Sequence, residues 1–275
     1  MRSTHVTFPG GLTSGRSEIV GVVPVGDRHG LVVAETPFHP LDHTWPDQPA
    51  DRGTIAGLPV VDCVTGAQSS TGEVFVGEAV PVRRGAEDWE WLVVHVTEEP
   101  LPVGEEVALE VDAAFRAALS AGHTACHLAA LALNAALAGR WRKEPALDPL
   151  GHPDFDQAAI VSSRIGPYGS VDVYRLGKSL RKKGFSAEGM DVAEVARQAG
   201  EQLAAWVAAG APVHVDVPGP RLTDRRTWNC SLPEGAASMA CGGTHVTSTA
   251  ELGGVEIALS LDEAALTMRT TCGAE

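Results

Sequence analysis

Two short stretches carry residue types that can hold a metal ion. His123-Thr-Ala-Cys-His127 and Cys241-Gly-Gly-Thr-His245 each place two nitrogen or sulfur donors four positions apart. Imidazole and thiolate together suit a borderline-soft divalent ion, zinc above all, and four such donors complete a tetrahedral shell. On a helix, positions i and i+4 differ by about 40° of rotation and roughly 6 Å of rise, so His123 and His127 point the same way. Gly242-Gly243 lets the chain turn tightly between Cys241 and His245 and approach an ion or ligand closely. Ten histidines produce roughly 0.4 His-x-x-x-His pairs by chance at this length, so one pair alone decides little. His39-Pro-Leu-Asp-His43 is such a second pair, but Pro40 lies inside it, and both its histidines are read as loop or surface residues. The other two pairs support each other, and His123, His127, Cys241 and His245 are expected to share one metal site. Spacing leaves open whether that site is closed and structural or catalytic with a position for water.

The elements that position these donors fall into two blocks. From about residue 17 to 111, short Val-rich runs (19–25, 30–35, 58–63, 73–82, 89–96 and 106–111) alternate with Gly, Pro and Asp, which predicts a β-rich, barrel-like or sandwich unit. Residues 37–53 hold four prolines and no apolar alternation, so they read as a long ordered loop. The character changes near Asp112. Residues 113–138 are strong helix formers apart from one glycine, and 192–209 form a second, one-faced helix. Strands are expected at 212–217, 254–261 and 265–271, the last two joined by a hairpin turn at Asp262-Glu263, and another is expected to start at 244–249. The predicted class is α+β, with a β-rich domain over 1–111 and an α+β domain with antiparallel sheet and a metal-bearing helix over 112–275.

Bulk composition narrows the function classes. At 275 residues, 44% apolar and 20% charged, the chain is an ordinary globular one. Its net charge of −14 opposes broad nucleic-acid binding, so any such contact must come from a local patch, and no DNA partner is expected. Arg175, Lys178, Arg181, Lys182 and Lys183 are five cations in nine residues with no acid among them. Arg140, Arg142 and Lys143 can extend that patch, and Arg221, Arg225 and Arg226 form a weaker third cluster. These read either as a solvated face or as a phosphate clamp. Trp141 and Tyr174 are candidates for stacking on a base, weighed against core packing. Five scattered cysteines show no disulfide framework, and residues 1–10 show no secretory pattern, so a reducing cytoplasm is expected. The apolar run 117–138 carries His123, His127 and Asn134 and is read as a buried helix, with no membrane partner.

Ser120-Ala-Gly-His-Thr-Ala-Cys-His-Leu128 together with Ala240-Cys-Gly-Gly-Thr-His-Val246 resembles the paired signature of alanyl-tRNA editing proteins. These are the free-standing AlaX-type relatives of the editing domain of alanyl-tRNA synthetase. Gly104-Glu-Glu-Val-Ala-Leu-Glu-Val-Asp112 with Arg116 resembles the segment leading into that family's ligand helix, and Gln48-Pro-Ala-Asp-Arg-Gly53 resembles its "QPxDxG" stretch. The related threonyl-tRNA synthetase editing domain usually has Arg-Gly-Pro where this chain has Gly242-Gly243-Thr244, which favours the alanyl branch. The family's glycine-rich loop before "QPxDxG", associated with amino-acid discrimination, is replaced here by Asp42-His-Thr-Trp-Pro-Asp47.

The resemblance implies Zn2+-dependent hydrolysis of the ester joining an amino acid to the terminal ribose of tRNA. The implied partner is an aminoacyl-tRNA, with no obligatory protein partner. A metal ion suits this step because it polarises a carbonyl and lowers the pKa of water. Two substrate classes stay open: seryl- or glycyl-tRNA(Ala), and threonyl-tRNA or tRNA carrying a threonine analogue, as with the fluorothreonyl-tRNA deacylase. Thr124, Cys126, Gly242, Gly243 and Thr244 are candidate substrate-pocket residues, with Cys126 read as core or pocket wall. The rival readings are a metallohydrolase of a small amide or ester and a zinc-stabilised tRNA-binding module.

Overall fold

Val-rich runs with residues facing both ways give strands that are covered on both faces. In the computed structural model, which describes residues 1–262 and 264–273, the chain is α+β. Its first ten strands are β1 (His5–Val6), β2 (Ser14–Val25), β3 (Arg28–Val33), β4 (Glu35–Thr36), β5 (Gly53–Ile55), β6 (Leu58–Val60), β7 (Asp62–Gln68), β8 (Val74–Val76), β9 (Glu90–Thr97) and β10 (Glu106–Val111). Eight of them form one antiparallel sheet of order β6-β5-β10-β2-β3-β9-β7-β8, while β1 and β4 pair in parallel. Leu31, Val33 and Val93 lie in a core with Ile19, Phe38, Ile55 and Leu109, whereas Val32, Leu92 and Val94 belong to a second core with Val23. Neighbouring residues thus point into different cores, which explains why β9 reads as a continuous apolar run.

This sheet belongs to a compact unit of residues 1–116, 215–226 and 241–244. Its buried His95 donates from Nδ1 to the Leu31 carbonyl (3.1 Å) and accepts at Nε2 from the Thr36 hydroxyl (2.8 Å). Burial lowers the His95 pKa to about 4, the Leu31 bond opposing it, and burial with Arg116, Arg84 and Arg226 nearby lowers that of His39 to about 3. Both stay neutral in the folded chain while the unfolded chain takes up protons below about 6.5. Stability conferred by these rings is therefore present above pH ~6.5 and is lost as pH falls toward 4 and then 3. The expected loss is roughly 3 kcal/mol for His95 and roughly 5 kcal/mol for His39. Urea unfolding followed from pH 7 to pH 4 should show a steep acid limb, and His95→Gln should flatten it.

The second unit, residues 117–214, 227–240 and 245–275, is built on a long helix, α1 (Ala113–Ala136). Its other helices are α2 (Phe155–Ala159), α3 (Lys178–Lys183) and α4 (Val192–Ala208). A four-stranded antiparallel sheet joins β11 (Ile160–Gly166), β12 (Gly169–Arg175), β16 (Gly254–Leu261) and β17 (Ala265–Gly273) in the order β11-β12-β17-β16. A second sheet orders β13 (Val213–Asp216), β14 (Thr227–Leu232) and β15 (Gly235–Ala240). The α4 helix starts at the Asp191 cap and packs on β16, burying Val195, Ala199, Leu203 and Trp206. Glu263, half of the turn expected between β16 and β17, lies outside the described residues. The strand expected to start at 244–249 is not there: Ser248 and Glu251 form a capping box that opens a 3-10 turn at Thr249–Leu252. No described helix is long and apolar enough to cross a membrane.

The single glycine inside α1 has a packing cause. A Cβ on Gly122 would collide with the Gly166 carbonyl and the Gly169 amide, so the helix backbone lies directly against the β11–β12 turn. The Tyr168 amide donates to the Ala118 carbonyl at 2.9 Å, tying that turn to the helix.

Candidate metal centre

One turn of α1 separates His123 from His127, and their ring centroids lie 4.7 Å apart. His245 joins them, 4.4 Å from His123 and 5.2 Å from His127. The fully buried Trp228 of β14 backs this group, its indole 5.1 Å from His127 and 5.9 Å from His245. Cys241 directly follows β15 and reaches His245 through three residues. One donor atom from each of His123, His127, Cys241 and His245 lies within 4.8 Å of the others, so the set could hold a metal ion.

Protonation states fit ligation. Burial lowers the His127 pKa to about 4, so the ring is neutral near pH 7, and its buried Nε2 meets no hydrogen-bond partner among the described residues. A neutral ring with an unmade bond at one nitrogen is the form a metal accepts. Burial also pushes the Cys241 thiol up to about 12, with the Gly243 backbone bond and Arg226 opposing the rise and Asp47 adding to it. A bound cation reverses that preference and favours the thiolate.

Thr124 supports the histidines from behind. Its hydroxyl donates to the Ser120 carbonyl at 2.9 Å and accepts from the Val246 amide at 3.2 Å. With its single hydrogen committed, it faces His245 Nδ1, 3.2 Å away, as an acceptor. That contact places the ring proton on Nδ1 and leaves the lone pair on Nε2. Thr124 is completely buried, and its hydroxyl is taken up by these three contacts. Cys126 is also buried, with its thiol 3.5 Å from Asp172.

Thr244 and the glycines belong to the first unit. Gln48 grips Thr244 twice, accepting from its amide at 3.1 Å and donating to its hydroxyl at 3.0 Å. Gly242 and Gly243 line a cavity of about 110 Å³ together with Phe8, His39, Asp42, Trp45, Asp47 and Arg84. The Asp42–Asp47 stretch is thus a wall of that cavity, held by the Asp42–Arg84 ion pair at 2.7 Å. His39 sits in the loop, as expected, but is buried against Phe8 and not at the surface. His43 bonds Thr65 at 2.9 Å.

The basic residues are placed unequally. Arg175, Lys178, Arg181, Lys182 and Lys183 are exposed on and just before α3. The Arg142 amide donates to the Gly184 carbonyl and the Lys143 ammonium to the Lys182 carbonyl, both at 2.9 Å, so the 140–143 segment lies beside them. Arg140 reaches the carbonyls of Ser186, Glu188 and Gly189. The third cluster does not form one surface, because Arg226 is buried over the Phe8 ring. Tyr174 is fully buried and cannot stack on a base; Trp141 lies edge-on to Phe185 at 5.3 Å.

No family model matches this chain. Its sequence is similar to alanine–tRNA ligases. It is 26% identical to the alanine–tRNA ligase of Synechococcus sp. over 228 residues, which is 83% of this chain and 22% of that protein. The enzymes of Ruegeria pomeroyi and Prochlorococcus marinus are each 27% identical over 83% of the chain, covering 24% and 22% of their own lengths. The chain therefore spans about a quarter of the length of the relatives it matches. Sequence reasoning missed Trp228, which sits in a run that carries no local signal for a metal-site neighbour.

Proposed function

We propose that this chain is a zinc-dependent, trans-acting aminoacyl-tRNA deacylase, an AlaX-type editing protein that hydrolyses the ester bond of mischarged tRNA. The convergence of three histidines and one cysteine, in a chain similar to alanine–tRNA ligases, is the observation that carries this reading. His123, His127, Cys241 and His245 would hold the ion, residues 1–111 would form the β-rich domain, and 112–275 the editing domain. Zinc bound there would supply a Lewis acid for the ester carbonyl and a lowered pKa for water.

The protein's own groups have separate tasks. Thr124 keeps the proton of His245 on Nδ1, and Trp228 excludes water from one side of the imidazoles. Gln48 fixes Thr244 and, with it, the Gly242–Gly243 backbone, and Gly242, Gly243 and Thr244 would line the amino-acid pocket. The candidate acyl groups are serine or glycine on tRNA(Ala), and threonine or a threonine analogue.

A panel of tRNAs charged with Ser, Gly, Ala or Thr, tested with and without a chelator, examines the reading directly. Metal-dependent release from one or two esters is expected. Silence across the panel from zinc-loaded protein would leave either an unusual acyl group, such as a threonine analogue, or a non-catalytic role.

The exposed cations on and beside α3, namely Arg175, Lys178, Arg181, Lys182, Lys183, Arg142 and Lys143, together with Arg140, would meet the phosphates of the acceptor stem. Each phosphate contact contributes about 0.9 to the slope of log affinity against log salt. Reversing Arg181, Lys182 and Lys183 to Glu should therefore weaken aminoacyl-tRNA binding and flatten that slope by about 2–3. A metallohydrolase acting on a small ester would keep its activity in this variant.

A further inference from the structure

A flank of α1 beside the histidine face carries a buried polar cluster that the proposed chemistry does not use. Ser170, Asp172 and Tyr174 alternate along β12 onto its buried face. Asp172 is 2% exposed and collects three donors. Ser163 donates to Oδ1 at 2.6 Å, Ser170 donates to Oδ2 at 2.8 Å, and the Cys126 thiol approaches at 3.5 Å. Burial raises the carboxyl's pKa, and these three bonds oppose the rise. A buried carboxyl surrounded by hydroxyls and a thiol is costly compared with an apolar residue, so it suggests a role other than packing.

Its place on the helix indicates that role. Cys126 directly precedes His127, while Gly122, pressed against the β11–β12 turn, directly precedes His123. The same hairpin therefore contacts α1 beside each of its two histidines, once by backbone and once through Asp172. Two contacts one turn apart set how far the helix is rotated about its axis. That rotation decides where both imidazoles point.

We propose that Asp172 is a positioning residue for the metal centre, acting through Cys126 to fix the rotation of α1 and so the aim of His123 and His127. This rests on the reading of the four donors as a metal site. It differs from a plain stability role, because it requires the geometry at the ion to change when the contact is broken.

The test uses the full chain titrated with cobalt(II), following affinity and the visible ligand-field spectrum. Asp172→Ala should lower cobalt affinity by about tenfold, the low end of the range for groups that orient metal ligands, and should shift the visible bands. Asp172→Asn, which keeps an acceptor oxygen, should restore much of both. Leu266→Ala, a core truncation in β17 opposite Tyr174 that removes none of the donors to Asp172, serves as the control for lost stability and should leave the bands unchanged. If Asp172→Ala does not fold, Cys126→Ala against Cys126→Ser decides. Serine keeps a donor for Asp172 and should preserve the wild-type bands, whereas alanine should shift them. Wild-type affinity and bands in Asp172→Ala, or equal changes in Leu266→Ala, would overturn the proposal while the metal centre stands. Failure of the wild-type chain to bind cobalt would remove the metal reading itself, and this proposal with it.

Discussion

His127→Leu is expected to change the sign of its effect on stability when metal is added. In the metal-free chain the His127 ring is neutral, and its buried Nε2 has no hydrogen-bond partner among the described residues. Leaving a buried polar atom unsatisfied costs about 1–3 kcal/mol, so a leucine of similar volume should leave the metal-free protein as stable or more so. With zinc present the order should invert. Structural zinc sites are worth about 10–16 kcal/mol, so one ligand in four accounts for roughly 2.5–4 kcal/mol, or about 10²–10³-fold in affinity. Thermal unfolding of both proteins with excess zinc and with chelator gives four midpoints that check the inversion directly. The proposed deacylase activity should fall with metal occupancy. An ordinary core histidine would give the same sign under both conditions.

The parts of this molecule that were legible in advance are those in which local chemistry and tertiary context agree. The α1 helix is alanine-rich and broken only by Gly122, so its span follows from helix propensity and the common direction of His123 and His127 from their i, i+4 spacing. The runs at 106–111 and 254–261 likewise appear as β10 and β16 with their bounds intact. Context overrode propensity in β15, where Gly-Ala-Ala-Ser-Met-Ala favours a helix but pairs with β14 from Thr227↔Ala240 to Leu232↔Gly235. The β11–β12 hairpin was missed for a related reason. Its inward positions include Ser170 and Asp172, which look like solvent-facing residues until their mutual hydrogen bonds are known. The capping box at Ser248 was readable from Ser-x-x-Glu, yet the threonines around it suggested a strand.

Loss of the Asp51 carboxylate should be the most damaging single change in the first unit. Asp51 is wholly buried and receives Arg116 Nε at 2.7 Å, with a second bond from Arg116 Nη2. It also accepts the His39 amide at 2.5 Å, while its own amide donates to the His39 carbonyl at 3.0 Å. Arg116 Nη2 reaches the Pro37 carbonyl at 2.8 Å as well, so one ion pair closes the loop between Pro37 and Gly53 at both ends. Breaking a buried pair by removing one partner costs about 3–5 kcal/mol, because the remaining charge is stranded. Asp51→Ala should therefore lower the urea midpoint sharply, and it should also release Gln48 and the cavity wall at Asp42–Asp47. Replacing both partners, Asp51→Leu with Arg116→Met, removes the stranded charge and should recover most of the stability. The double variant should not recover function, since the loop that presents Gln48 to Thr244 loses the bonds that shape it. Stability restored without the proposed deacylase activity would assign the pair to the geometry of the loop, whereas recovery of both together would reduce it to a stabilising contact.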